Sequence, residues 1–228
     1  MNISIKKMAS MIDQTILKSN VTLKDLEKFC IESSQYEFKA LAINCSAIEI
    51  CKKHLNKSNI LICTVVGFPL GQSTIESKIF ETQDAINKNA DEIDYVINIT
   101  QLKAKNYTYI ENEMKGIVDI CRNNNKISKV IFETCFLTDY EKTKLCEIAL
   151  NIKPNFVKTS TGFGTYGATI EDIELMKSIV KDNIKIKASG GIRDLKTAEK
   201  MISAGADRIG TSAGIKIIEE LKLKQPRI

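Results

Sequence analysis

Apolar positions along this chain switch repeatedly between two periods. Short β-branched runs occur at IDQTIL (12–17), KALAIN (39–44), ILICTVV (60–66), EIDYVIN (92–98), KVIFET (129–134), FVKTS (156–160), IKIKAS (184–189) and RIGTS (208–212), and each reads as a strand. The segments between them have helical spacing. Thr22 with Asp25, Ser73 with Glu76, Thr138 with Glu141 and Thr169 with Asp172 each place a hydroxyl three residues before a carboxylate, the signature of a helix start. Ile75, Ile79 and Ile86 share one helical face, and Gly205 falls where a helix begun near Asp194 would end. Eight strands separated by helices, with no linker or composition break, predict a single (β/α)8 TIM barrel over residues 1–228 with an extra N-terminal helix. A doubly wound open sheet has the same local signature.

The barrel reading gives certain charges a meaning, because that architecture carries its reactive groups at the C-terminal ends of the strands. Successive strand residues face opposite ways, so Lys158 shares a face with Phe156 and stands where an apolar residue is expected. Taken alone, Lys158 fits a strand-end lysine whose ammonium reaches water. Lys187 alternates with Lys185 and fits a solvent face; Asp94 fits a partner for a structural lysine. Three such charges at one end of one barrel are a different matter, since buried charges are costly unless paired or neutralised. Lys158, Lys187 and Asp94 form the candidate catalytic set.

A second constellation is made of glycine. Gly162 follows the sixth strand, Gly190 and Gly191 the seventh, and Gly210 with Ser212 and Gly214 the eighth, opening the last helix. Glycine lets backbone N–H groups approach an anion, and a helix N-terminus adds a favourable dipole. Barrels of this kind commonly seat a phosphate at the loops after strands seven and eight. Gly162, Gly190, Gly191, Gly210 and Ser212 are the candidate phosphate-binding residues, and together they predict a phosphorylated substrate.

Composition then narrows the chemistry. The 228 residues are 43% hydrophobic and 27% charged, with a net charge of +5, which suffices for a full core. The lysines are scattered, without a basic block or Arg–aromatic interleaving, which argues against a nucleic-acid partner. The longest apolar run, ILICTVVGFPL (60–70), is broken by Gly67 and Pro69 and is far short of a membrane span, and the N-terminus has no export signal. A cytoplasmic protein with no membrane partner is expected. The seven cysteines form no CxxC pair and lie mostly in apolar runs, as buried reduced thiols do. His54 is the single histidine and sits beside Lys52 and Lys53 on a helix-like segment. His-based metal sites and His-based acid–base dyads drop out, leaving lysine, carboxylate, cysteine or water to carry the chemistry.

VKTSTGF, KASGGIR and IGTSAG, in this order and separation, together with EIDYVIN, VVGFPLG (65–71) and IDQTILK (12–18), resemble the deoxyribose-phosphate aldolase family over nearly the whole chain. The resemblance implies a class I, Schiff-base aldolase on a (β/α)8 barrel that uses no metal and no cofactor. Such an enzyme cleaves 2-deoxy-D-ribose 5-phosphate reversibly to D-glyceraldehyde 3-phosphate and acetaldehyde. By motif, it implies Lys158 as the Schiff-base lysine, Lys187 as its partner and Asp94 as the catalytic aspartate. Two departures are visible. Members often read IDHT where this chain has Gln14, and VNP where it has Ile43, Asn44 and Cys45. Neither touches the lysines or Asp94, and Asp13, Thr15 and Leu17 are candidates for shaping the pocket.

A lysine attacks a carbonyl only as the free amine. Bringing its pKa from about 10.4 to about 7 takes about 4.6 kcal/mol, and a second ammonium about 4 Å away supplies about 4 kcal/mol at an effective dielectric of 20. Lys187 is therefore expected to supply most of the shift on Lys158, with desolvation adding to it. Asp94, through an ordered water, is expected to move the protons. Another phosphate-binding barrel aldolase or isomerase shares the glycine loops but needs a different charge set. A non-enzymatic basic protein that binds nucleic acid is the reading from another class. The expected partner is a small phosphorylated sugar, and the oligomeric state, a homo-oligomer included, is open.

Overall fold

Eight parallel strands close on themselves. The computed structural model describes residues 3–224. Its strands β1 (Ile12–Ile16), β2 (Ala40–Ile43), β3 (Leu61–Val66), β4 (Glu92–Val96), β5 (Ile127–Ile131), β6 (Phe156–Lys158), β7 (Lys185–Ser189) and β8 (Arg208–Thr211) pair in chain order, and β8 returns to β1. Closure decides between barrel and open sheet: Asp13 lies opposite Ala40 on one side and Gly210 on the other.

Helices fill the outer ring. The extra N-terminal helix, α1 (Ile5–Ala9), packs against the last helix of the chain. After it come α2 (Leu23–Ser34), α3 (Ile48–His54), α4 (Ile75–Asn87), the short α5 (Ile99–Lys103), α6 (Tyr107–Asn123), α7 (Asp139–Ile152), α8 (Ile170–Val180), α9 (Leu195–Ser203) and α10 (Gly214–Lys224). Thr22 and Thr138 form capping boxes with Asp25 and Glu141, and the Thr169 hydroxyl accepts the Asp172 N–H, so these helix starts lie where the hydroxyl–carboxylate spacing puts them. The start of α4 is one residue later than Ser73 suggests, because Thr74 is the residue that accepts the Ser77 N–H. Among the described residues no helix is long and apolar enough to cross a membrane.

All eight strands differ from their expected bounds by one to three residues, and the differences in β5 and β6 bear on the site. β5 begins at Ile127, with Ser128 opposite Ile93 and Lys129 opposite Asp94. It ends before Glu133, whose left-handed backbone (φ 55°) turns the chain out of the ladder. β6 keeps only three residues, although the Thr159 N–H just past it still donates to the Lys187 carbonyl at 3.1 Å.

The two faces of the sheet are unlike. Outward residues such as Leu41, Ile43, Ile62, Ile93, Tyr95, Val130, Val157, Ile186 and Ile209 join the helices in one continuous apolar layer. Inside, β2 and β3 contribute the small residues Ala40, Ala42 and Cys63. The other strands contribute Asp13, Glu92, Asp94, Lys129, Lys158, Lys187 and Arg208, none more than 5% exposed. All seven cysteines are unpaired thiols, five of them buried.

Candidate active site

Strand register brings the three expected charges to one point. Lys158 lies opposite Lys187, and Asp94 opposite Lys129; the alternation of side chains turns all four inward. Asp94 Oδ2 accepts from Lys158 Nζ at 2.8 Å and from Lys187 Nζ at 2.8 Å. Its other oxygen, Oδ1, accepts from Lys129 Nζ at 2.6 Å and from the Cys63 thiol at 3.0 Å. Burial alone would raise the Asp94 pKa, but the three ammoniums hold it well below the usual carboxylate range.

A second layer of charge lies beneath. Lys187 Nζ reaches Asp13 Oδ2 at 2.5 Å, and Arg208 Nη1 donates to Asp13 Oδ1 at 2.6 Å. Arg208 also reaches Glu92 at 3.3 Å, and Glu92 meets Lys129 at 2.5 Å. Phe156 closes this layer, with the Arg208 guanidinium 5.2 Å from its ring centroid. Burial would raise Asp13, yet Lys187, Arg208 and Lys129 bring it down to about 2. Burial would likewise lower Lys187, but Asp13 and Asp94 carry it above the ordinary lysine value.

Lys158 goes the other way. Burial is the largest influence and lowers its pKa, Asp94 opposes it, and Lys187 adds to the lowering. This corrects the expected cause, in which Lys187 did most of the work. Asp94 stands between the two ammoniums and offsets their repulsion, so desolvation leads.

Of this cluster, sequence reasoning found Lys158, Lys187 and Asp94 and named Asp13 only as a pocket residue. It missed Lys129, Glu92 and Arg208. Ligand atoms of Asp13, Cys63 and Glu92 also come within 4.8 Å of one another, a grouping no motif announced. Lys129 and Arg208 already bond these carboxylates, and burial pushes the Cys63 thiol up to about 12. The group is therefore an ion-paired cluster rather than an open set of metal ligands.

Above it opens a cavity of about 860 Å3, with Lys158 and Lys187 in its lining. Gly162, Gly190, Gly191, Gly210 and Ser212 all line it too, as do the cations Lys18, Arg193 and Lys216. Gly190 has φ +83°, and a Cβ on it would stand 2.8 Å from the Gly167 Cα, so only glycine fits. Gly210 has a second reason beside the one expected. It is a residue of β8, and a Cβ there would stand 2.9 Å from the Ser189 Cβ and 3.1 Å from the Lys187 Cε. Its missing side chain makes room for the stem of Lys187. Two side chains that carry no expected role brace the mouth. Gln14 Oε1 accepts the Gly214 N–H at 2.9 Å at the start of α10, and Glu133 accepts the Thr161 N–H at 3.0 Å as well as its hydroxyl. Cys45, the other departure, donates its thiol to the Val65 carbonyl at 3.0 Å.

Comparison with known proteins adds an independent line. A family model described as DeoC/LacD family aldolase matches residues 7–220. The deoxyribose-phosphate aldolase of Lactobacillus acidophilus is 51% identical over 224 residues, covering 98% of this chain and 94% of its own. That of Malacoplasma penetrans is 51% identical over 224 residues, covering 98% of this chain and 100% of its own. A solved structure of Aeropyrum pernix deoxyribose phosphate aldolase, described as tetrameric, superposes with a TM-score of 0.89 at 31% identity, over 97% of this chain and 94% of that one. A likeness that runs through almost every strand and helix, at this level of identity, leaves one conclusion: the chain belongs to the DeoC/LacD family of aldolases.

Proposed function

We propose that this chain, read as one aldolase domain, cleaves 2-deoxy-D-ribose 5-phosphate reversibly to D-glyceraldehyde 3-phosphate and acetaldehyde, with Lys158 as the nucleophile. One observation carries the assignment. Of the four cations that the described residues place inside the barrel, Lys129, Lys187 and Arg208 are raised above their ordinary pKa values and Lys158 is lowered, while facing the cavity.

The free amine of Lys158 adds to the C1 carbonyl of the open-chain sugar, and the carbinolamine loses water to give an iminium. Asp94, through a water, takes the proton of the C3 hydroxyl. The C2–C3 bond breaks, its electron pair passes into the iminium as an enamine, and C3 leaves as the aldehyde of glyceraldehyde 3-phosphate. Protonation of the enamine at C2 and hydrolysis of the resulting iminium release acetaldehyde and restore Lys158. Lys187 stays protonated between Asp13 and Asp94 and steadies the charge that changes on Asp94. Gly162, Gly190, Gly191, Gly210 and Ser212 supply backbone and hydroxyl donors for the phosphate, Gly210 also admits the Lys187 stem, and Lys18, Arg193 and Lys216 draw the anion in.

A reducing, cytoplasmic setting belongs to the same proposal, supported by seven unpaired cysteines. So does a homo-oligomer, supported by the tetrameric relative and by the exposed Leu70 and Phe80. Borohydride reduction in the presence of acetaldehyde, followed by peptide mapping, tests the centre of the reading. One ethyl group on Lys158 and loss of activity are expected; an adduct on Lys187, or none, would sink it. Unphosphorylated deoxyribose should lose orders of magnitude in kcat/KM, and equal rates on both sugars would remove the phosphate assignment.

A further inference from the structure

Lys129 has no part in the scheme above. It is fully buried and does not line the cavity. Its Nζ sits between Glu92 at 2.5 Å, Asp94 at 2.6 Å and the Cys63 sulfur at 3.2 Å.

The ion pairs inside the barrel trace a closed circuit. Asp13 meets Lys187, Lys187 meets Asp94, Asp94 meets Lys129, Lys129 meets Glu92, Glu92 meets Arg208, and Arg208 returns to Asp13. Three carboxylates alternate with three cations, and every member touches two of opposite sign. Lys158 is outside the circuit and touches one carboxylate, Asp94. The other groups that face it change nothing in this count. Cys63 on β3 is a neutral thiol, and β2 presents Ala40 and Ala42. Glu133, in the turn after β5, is near enough for the charge on Lys158 to act on it, but burial raises its pKa, and its oxygens bond Thr161 rather than any of the four cations.

A buried enclosure disfavours net charge. The circuit is neutral without Lys158, so a proton on Lys158 is the surplus charge. Without Lys129 the same three carboxylates would face only Lys158, Lys187 and Arg208, and the proton on Lys158 would become the one that balances them. We infer that Lys129 is a positioning residue that closes this circuit, fixes Asp94 Oδ1, and thereby makes Lys158 the one interior lysine that can stand as a free amine. The inference rests on Lys158 being the nucleophile.

Two substitutions with opposite signs test it, read as the rate of acetaldehyde trapping by cyanoborohydride across pH. Lys129→Met removes a cation, so the half-point of trapping should move to higher pH by about one unit or more, which is at least about tenfold less free amine at neutral pH, with recovery on the alkaline side. Glu92→Gln removes a carboxylate and should move the half-point to lower pH. A merely structural role for these residues would loosen the site in both variants and move the two half-points together. Movement in the same direction, or in neither, overturns the inference. If Lys129→Met does not fold, Glu92→Gln decides alone, and a half-point that stays or rises overturns it. An adduct mapped away from Lys158 in the unsubstituted protein defeats the site assignment itself. An adduct on Lys158 with unmoved half-points defeats only the role of Lys129.

Discussion

Along β4, Ile93 and Tyr95 point into the apolar layer while Glu92 and Asp94, their neighbours in sequence, point into ion pairs. The outer layer contributes by area, about 1.5–3 kcal/mol for each large side chain fully buried, and any residue of similar shape serves nearly as well. The inner cluster works by mutual dependence, because removing one partner of a buried pair strands the other at a cost of about 3–5 kcal/mol. Stability is thus spread over many replaceable contacts, and reactivity is concentrated in a few side chains that hold one another. The outer layer has exceptions among the described residues, Lys142 with Asp172 at 2.6 Å and, more deeply buried, a pair beside β3 and β4. Lys78 on α4 and Glu113 on α6 pair at 2.6 Å with both side chains fully buried. Lys78 also donates to the Gly71 and Val96 carbonyls, and Glu113 accepts the Asn98 N–H. Charge appears there where backbone leaving β3 and β4 must be held.

The contrast can be broken first at Lys158. Lys158→Ala should abolish both turnover and trapping at every pH while leaving the fold intact, since it removes the one cation outside the closed circuit; residual trapping at another lysine, seen by peptide mapping, would contradict this. Asp94→Asn should lower turnover by about 10²-fold to 10⁴-fold. It should also destabilise the protein, because Lys129, Lys187 and Arg208 would then face two carboxylates, and denaturant unfolding beside steady-state kinetics measures both. A normal turnover number would make Asp94 structural. Gly210→Val should overpack the space beside Lys187 and cost about 1–3 kcal/mol in unfolding free energy, with kcat reduced as well as KM raised. A change confined to KM would leave Gly210 with the phosphate-binding role alone. The smallest effect belongs to the outer face: Ile93→Val should cost about 0.5–1.5 kcal/mol and leave kcat and the pH profile unchanged. A shifted pH profile in that variant would mean that the two faces are not independent.

Much of this is legible in the sequence. The alternation of short β-branched runs with helical spacing and the capping pairs at Thr22, Thr138 and Thr169 are local signals, and they located eight strands to within one to three residues at each end and three helix starts. Lys158, Lys187 and Asp94 showed themselves because each is a charge set within an apolar run. Lys129 and Arg208 did not, because a basic residue that opens a strand-like run is ordinary, and Glu92 was masked by the acidic stretch DEID.

What the tertiary structure alone decided is how these charges meet. Barrel closure brings Asp13 to Arg208, 195 residues away, within 2.6 Å, and strand register sets Lys129 opposite Asp94. The sequence by itself determined that strands alternate with helices and that three charges stand where apolar residues belong, because side-chain alternation and capping act over a few residues. The order of influences on Lys158, with burial ahead of Lys187, could come only from the folded barrel. Desolvation and Coulomb interactions depend on depth and on distances between separate strands, and neither quantity exists until the barrel has closed.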